Sequence, residues 1–203
     1  MKSEGTDDGT GEREFLMTWE GQETETAEGG NLPWPEAAEG RDMPQQCGGK
    51  DGKGAVDMQI RTMTLEDYEE VYGLWMSCPG MGLNNLDDSR EGIGHFLERN
   101  PRTCLVAVEE NRIVGVILAG NDGRRGYIYH TAVALSCQGR GVGTRMVQET
   151  LRALKEEGIR KAALVVFDRN EGGNAFWEKQ GFTEREDLVY RNKALAELVR
   201  IDT

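Results

Sequence analysis

Among the residues able to do chemistry, the stretch Gln138-Gly139-Arg140-Gly141-Val142-Gly143-Thr144 carries the clearest signal. Three glycines at alternate positions let the backbone turn tightly and come close to a ligand, which a Cβ would prevent. An apolar, strand-like run from Tyr127 to Val133 precedes them and a long helical pattern follows. The first N–H groups of that helix have no intrahelical partner and carry the positive end of its dipole. Strand, glycine turn and helix start therefore make a cradle for an anion such as phosphate, to which Arg140 can add a charge-assisted contact. Two familiar cradles fail on spacing. The dinucleotide fingerprint needs Gly-x-Gly-x-x-Gly, and the nucleotide-triphosphate loop needs a Lys after its last glycine; this chain has Gly-x-Gly-x-Gly followed by Thr144.

What remains is the signature Gln/Arg-x-x-Gly-x-Gly/Ala, and here the sequence resembles the GNAT superfamily of acetyl-CoA-dependent N-acetyltransferases, of the bacterial acetyltransferase type. A second segment carries the same resemblance. The family commonly has Asn-x-x-Ala-x-x-Phe-Tyr-x-Lys-x-Gly-Phe, and residues 170–182 match it at Asn170, Phe176, Lys179, Gly181 and Phe182. The likeness spans about residues 58 to 192. Gly173 departs from the usual Ala, Leu135 from a frequent Pro, and Trp177 from the Tyr often proposed as general acid.

The resemblance implies acetyl-CoA as acyl-donor cosubstrate and no metal. It implies that Gln138, Gly139, Arg140, Gly141, Val142, Gly143 and Thr144 hold the pyrophosphate, and that Thr131, Ala132 and Val133 hold the pantetheine arm. The Val133 amide is then the donor to the thioester oxygen as it becomes an oxyanion. Asn170 matches the family Asn that contacts the pantetheine or pyrophosphate; an Asn capping a helix would look the same.

The implied chemistry needs an amine without its proton. An alkylammonium has a pKa near 10, so at pH 7 only about one molecule in a thousand is nucleophilic. Afterwards a thiolate leaves and must be protonated or stabilised. The catalytic candidates are Tyr129, His130 and Trp177. A strand period of two puts Tyr127, Tyr129 and Thr131 on one face and Ile128, His130 and Ala132 on the other. Family bases on this strand usually share the face of Tyr127 and Tyr129. An imidazole suits proton removal near neutral pH, yet the period places His130 on the opposite face. A structural histidine, a packed Tyr129 and a water relay stay open. The Trp177 indole N–H donates but cannot hand a proton to a thiolate as a phenol can, so Trp177 is expected to pack beside the thioester. The acceptor pocket is expected from Trp75 through Ser89, where Asp87 and Asp88 either attract a cationic amine or form a solvated helix start.

The elements that position these residues occupy only part of the 203-residue chain, in which 37% of residues are hydrophobic. Residues 1 to 54 hold about 13 acidic and 5 basic side chains, so roughly −8 of the formal −12 lies there. With few apolar residues, the extension over residues 1–57 reads as disordered. It lacks the marks of a secretory or mitochondrial signal, and no run is long enough to cross a membrane; a solvated tail, a tail for a basic partner and a leader before a natural start at Met58 are the readings left open. Cys47, Cys78, Cys104 and Cys137 form no Cys-x-x-Cys pair, and with His95 and His130 as the only histidines a zinc site is improbable. That usage suggests a cytoplasmic protein. Cys137 is either an oxidation-sensitive thiol or an ordinary packing cysteine. No basic patch with interleaved aromatics is present, which argues against nucleic acid as a partner.

Residues 58–203 read as alternating strands and helices. The sequence predicts a strand over 59–63, a helix opened by Thr64-Leu65-Glu66-Asp67 in capping-box style, and a second helix over 89–99. A hairpin over 103–119 turns at Glu110-Asn111, and a fourth strand covers 126–133. Further expectations are a helix from the glycine turn to about 157, a strand over 161–167 covered on both faces, a short helix over 170–180, a closing strand over 188–191 and a terminal helix over 194–201. This order implies an α/β mixed sheet of six to seven strands with helices on both faces, the GNAT fold. The expected function is acetyl transfer from acetyl-CoA to a primary amine in a ternary complex, the acceptor being a small amine, an amino acid or a peptide N-terminus, with a homodimer open beside a monomer. The alternative is a non-catalytic acyl-CoA-binding module or sensor.

Overall fold

The computed structural model describes residues 58–201. The expectations for the extension over residues 1–57 lie outside the described residues. In chain order the elements are β1 (Gln59–Thr62), a 3-10 turn (Leu65–Asp67), α1 (Tyr68–Met76), α2 (Arg90–Arg99), β2 (Leu105–Glu109), β3 (Arg112–Asn121), β4 (Gly126–Val133), a 3-10 turn (Leu135–Cys137), α3 (Val142–Glu156), β5 (Ala162–Ala163) and α4 (Glu171–Lys179). The five strands lie side by side in sequence order, antiparallel from β1 to β4 and parallel between β4 and β5. The sheet is mixed because α3 carries the chain back to start β5 in the direction of β4.

Local chemistry sets these elements. Glu110 and Asn111 both have positive φ, 50° and 59°, the backbone of the two-residue hairpin turn whose twist matches paired strands. Asp67 Oδ2 accepts from the Thr64 N–H at 2.8 Å, as the capping pattern predicts, although a 3-10 turn intervenes before α1. Ser89 caps α2, its Oγ accepting from the Gly92 N–H at 3.0 Å.

The sheet separates two apolar layers. On one side Val71, Leu74 and Trp75 of α1 and Ile93 and Leu97 of α2 pack with Val106, Val116, Leu118 and Ala132. On the other, Met146, Val147 and Leu154 of α3 pack with Ala107, Ile117, Ala119 and Ile128. β3 runs between them and is buried from Ile113 to Gly120. Each fully buried aliphatic side chain contributes about 1.5–3 kcal/mol, so both layers hold the central strands in place. α3 lies close to the sheet because position 115 has no side chain; a Cβ there would meet Met146 Sδ at 2.7 Å.

Three expectations need correction. The sheet has five strands among the described residues, not six or seven. β5 is two residues long, and Val165 and Phe167 beyond it are exposed at 58% and 36%. The apolar run 161–167 is not sandwiched; Phe167 instead lies under the guanidinium groups of Arg169 and Arg200. Residues 188–191 form no strand and 194–201 no helix. Leu188, Val189 and Tyr190 are exposed, so no packed layer rewards adding them to the sheet. The tail pairs in extended form with the loop before α2: the Asn85 N–H donates to the Val199 carbonyl and the Ile201 N–H to the Leu83 carbonyl, both at 3.0 Å. No helix among the described residues is long and apolar enough to cross a membrane.

Candidate active site

β4 is the floor of the site, and its middle is irregular. Tyr129 stands opposite Leu118 and Ala132 opposite Val116, so His130 and Thr131 together face the single residue Ile117. This is a β-bulge, and His130 has a φ of 33°, in the left-handed region that costs a non-glycine residue energy. A bulge resets which face each side chain takes. Ile128, before it, packs with α3, whereas Ala132, after it, packs with α1.

His130 is therefore carried to the α1 face. Its ring lies edge-on to Trp75, 5.3 Å between centroids, and its carbonyl accepts from Trp75 Nε1 at 3.2 Å. The opposite placement expected from a period of two is wrong, because that period stops at Tyr129. Tyr129 and His130 end on the same side of the sheet. Tyr129 is 42% exposed and stacks against Phe96 and Tyr127. Burial is the main cause that raises the Tyr129 phenol and pushes Tyr127 up to about 12, so both stay protonated at neutral pH.

The partner of His130 is Asp88, whose Oδ1 lies 2.6 Å from Nε2. The Asp88 residue is 2% exposed. Its Oδ2 accepts from the Asn84 N–H at 2.7 Å, and its carbonyl accepts from the Tyr68 hydroxyl at 2.9 Å. Asp88 is thus no solvated helix start. Asp87 is exposed and accepts from Asn84 Nδ2 at 3.0 Å.

The other edge of β4 forms a wedge. β5 pairs with β4 only at Gly126 and Tyr127, so among the described residues the edge from Ile128 to Val133 has no strand beside it. The Ala134 N–H donates to the Val114 carbonyl on β3. Amides alternate along a strand, so the Val133 N–H points the other way, into the wedge. The Val133 carbonyl accepts from Gln138 Nε2 at 3.1 Å, which ties the turn to the strand end. Thr131 and Ala132 precede it on the same edge.

The glycine turn closes the wedge. Gly139 and Gly141 have φ of 73° and 80°, and Gly141 is the residue before the first turn of α3. The N–H groups from Gly139 to Thr144 make no hydrogen bond to other described residues and form a row of donors at the positive end of α3. Gly143 has a different reason: a Cβ would lie 3.2 Å from Phe176 Cζ, so its absence lets α4 pack on α3. Gln180 Nε2 donates to Thr144 Oγ1 at 3.2 Å across the same contact.

Arg140 does not stand free over the cradle. It makes a two-pronged ion pair with Glu109 at the end of β2, 2.6 and 3.0 Å, and this contact is the largest cause raising its pKa. Glu109 is 5% exposed. The pair anchors the turn to the sheet, with Cys137 buried beside both.

Two expected site residues have structural partners. Asn170 caps α4, its Oδ1 accepting from the Gly173 N–H at 2.9 Å. The departure at Gly173 follows from this cap, because a Cβ there would lie 2.5 Å from Asn170 Nδ2. Trp177 sits edge-on between Phe176 and Phe182, with centroids 5.1 and 5.2 Å away. Sequence reasoning missed Glu109 and the pairing of Asp88. Both lie in polar strings, Glu-Glu-Asn-Arg and Asp-Asp-Ser-Arg, that read as a turn and a cap.

The comparisons with known proteins bear on this arrangement. The acetyltransferase (GNAT) family model matches residues 68–182. The chain belongs to that family. An acetyltransferase of Sodalis glossinidius is 30% identical over 140 residues, 69% of this chain and 97% of that protein. One from Photorhabdus laumondii is 30% identical over 142 residues, 69% and 98% of the two chains. Among solved structures, an aminoglycoside N-acetyltransferase in complex with coenzyme A matches at a TM-score of 0.57 and 21% identity, covering 70% of this chain and 98% of its own. Ard1 from Thermoplasma volcanium matches at 0.55 and 22%, covering 62% and 82%. At these identities the likeness to the structures is one of fold, and it agrees with the GNAT fold read from the sequence.

Proposed function

We propose that this GNAT protein transfers the acetyl group of acetyl-CoA to a primary amine by direct attack in a ternary complex. The observation that carries the reading is the wedge beside β4, with the Val133 amide directed into it and, closing it at the start of α3, a row of amides that bond to no other described residue. Pantetheine would lie along Thr131, Ala132 and Val133, and pyrophosphate against the amides of residues 139–144. Arg140 would hold the turn in shape through Glu109 rather than grip phosphate itself. The Val133 N–H would donate to the thioester oxygen, strengthening as charge develops there. Asn170 would set the start of α4 rather than hold the cofactor, and Trp177 would wall the wedge with its indole face.

The acceptor enters from the other face of β4, over Tyr127, Tyr129 and His130 and under the loop that carries Asp87 and Asp88. Related folds include an aminoglycoside acetyltransferase in complex with sisomicin and a ribosomal-protein-alanine N-acetyltransferase. They support a small amine, an amino acid or a peptide N-terminus as the acceptor class. Trp177 in place of a phenol favours a second reading, a non-catalytic acyl-CoA sensor. Calorimetric titration with acetyl-CoA, followed by thiol release against amines, amino acids and short peptides, tests both. Binding with turnover supports the enzyme, binding without turnover supports the sensor, and no binding refutes the wedge as a cofactor site.

A further inference from the structure

We infer that His130 and Asp88 form a general-base pair, with Asp88 the positioning residue and His130 Nδ1 the atom that accepts the proton of the acceptor ammonium. The inference rests on the acetyltransferase reading and adds the group that prepares the amine. Three independent observations converge on it. The bulge places His130 in a backbone conformation with φ of 33°, a strain that is retained where surrounding contacts enforce it and that clusters at functional sites. Those contacts fix both ends of the residue: Trp75 Nε1 holds its carbonyl and Asp88 its Nε2. Asp88 is itself held from two elements, by the Asn84 amide on one oxygen and by the Tyr68 hydroxyl on its carbonyl.

A carboxylate has no proton to give, so at 2.6 Å it is the acceptor and Nε2 the donor. That fixes the neutral ring as the Nε2–H tautomer and leaves the lone pair on Nδ1. Nδ1 makes no hydrogen bond to other described residues, and 19% of the side chain remains open beside the exposed Tyr129. A buried carboxylate also stabilises the imidazolium once the proton has moved. This is the division of labour between an imidazole base and its orienting acid wherever the two act together.

Nδ1 takes one proton from the ammonium, and the freed nitrogen lone pair attacks the thioester carbonyl carbon. The carbon–sulfur bond then breaks and its electron pair leaves on the thiolate. The second nitrogen proton passes to that sulfur, through Tyr129 or water, giving the amide and free coenzyme A. The imidazolium releases its proton to solvent.

Two measurements on the full chain test this. Long-range proton–nitrogen NMR of the histidine rings reads the tautomer without any substrate. The Nε2–H form is expected for His130 in the wild type and its loss in Asp88→Asn; an Nδ1–H ring in the wild type overturns the pairing. Steady-state kinetics with acetyl-CoA then compare alkylamines, which need a base, with an arylamine already neutral at pH 7. His130→Gln and Asp88→Asn should lower kcat/KM for alkylamines by about 10²–10⁴-fold and spare the arylamine rate and the calorimetric affinity for acetyl-CoA. The acid limb of the alkylamine pH profile should move in His130→Gln to that of the free-amine fraction, set by the amine's own pKa near 10. The titratable groups around that ring are Asp88, its neighbour Asp87, Tyr68 of α1 and Tyr129, so Tyr129→Phe and Asp87→Asn should retain the limb. Equal losses for both amine classes, or unchanged alkylamine rates, overturn the base role. Binding of acetyl-CoA with no transfer to any amine overturns it too while leaving the cofactor site standing. Failure to bind acetyl-CoA refutes the proposed function instead, and the tautomer still reports on the pair.

Discussion

The Arg140–Glu109 pair separates two ways in which a basic residue can serve a phosphate cradle. Arg140→Met keeps most of the stem but leaves Glu109, 5% exposed, without its counter-charge. Removing one partner of a fully buried pair costs about 3–5 kcal/mol. The Arg140 side chain is 38% exposed, so water relieves part of that, and about 2 kcal/mol is expected. In a domain of this size that lowers the thermal midpoint by about 4–8 °C. Glu109→Gln keeps an acceptor and leaves a partly hydrated guanidinium, so about 1 kcal/mol is expected. The double variant should lose less than the two together, with a coupling of about 1–2 kcal/mol in urea unfolding. Cofactor affinity discriminates further. If Arg140 anchors the turn, both single variants weaken acetyl-CoA binding by calorimetry. If Arg140 grips phosphate, Glu109→Gln frees the guanidinium, removes a nearby negative charge and tightens binding. Additive stabilities together with tighter binding by the Glu109→Gln protein would refute the anchor.

Gly141→Ala meets no atom within 4 Å but must hold a φ of 80°, which costs an alanine about 1–2 kcal/mol. The loss should show as a lower midpoint where the turn keeps its shape, or as about tenfold weaker acetyl-CoA binding where it relaxes; neither change would count against the turn. Tyr129→Phe should leave cofactor affinity intact and slow turnover if its protonated hydroxyl serves the leaving thiolate, and an unaltered rate clears it of that role. Asp67 is held below the usual carboxylate range, first by its hydrogen bond from Arg61. A carboxyl depressed in the fold stabilises above its unfolded pKa near 4 and loses that contribution as pH falls through the folded value. Asp67→Asn should cost about 0.5–1 kcal/mol at neutral pH through the lost charge pairing with the partly exposed Arg61, and should flatten the fall in stability below about pH 4. An acid limb as steep as wild type would refute the linkage.

The order of the elements and the glycine turn were legible because both depend on local chemistry. The turn at Glu110-Asn111, the cap at Ser89 and the helix after Gly141 each need only a few neighbouring residues to specify them. The C-terminal segment was less legible. Residues 194–201 carry a helical apolar spacing, yet Leu195 is 96% exposed, so no surface rewards the helix, and Val199 and Ile201 bond to the loop before α2 instead. Helical periodicity in eight residues cannot outweigh tertiary hydrogen bonds when the stripe it makes has nothing to pack on.

The site was the part most sensitive to one local event. A period of two is reliable only while each residue on β4 has one partner on β3, and the parity of every later side chain depends on that count. One extra residue between Tyr129 and Ala132 turns His130 from the α3 side to the α1 side, and with it turns an unremarkable strand histidine into the partner of a buried aspartate. No local feature of Tyr-His-Thr-Ala announces the bulge, and the contacts that go with it are distant in sequence: Trp75 on α1 and Asp88 before α2 hold the carbonyl and the ring. The same contacts make the bulge testable. If Trp75 and Asp88 hold His130 at positive φ, then a glycine, which adopts that conformation freely, should relieve strain there. His130→Gly should then cost less stability than His130→Ala, by about 1 kcal/mol, while both abolish base catalysis. Equal stabilities would mean that the bulge is intrinsic to β4 and that the site was built around it.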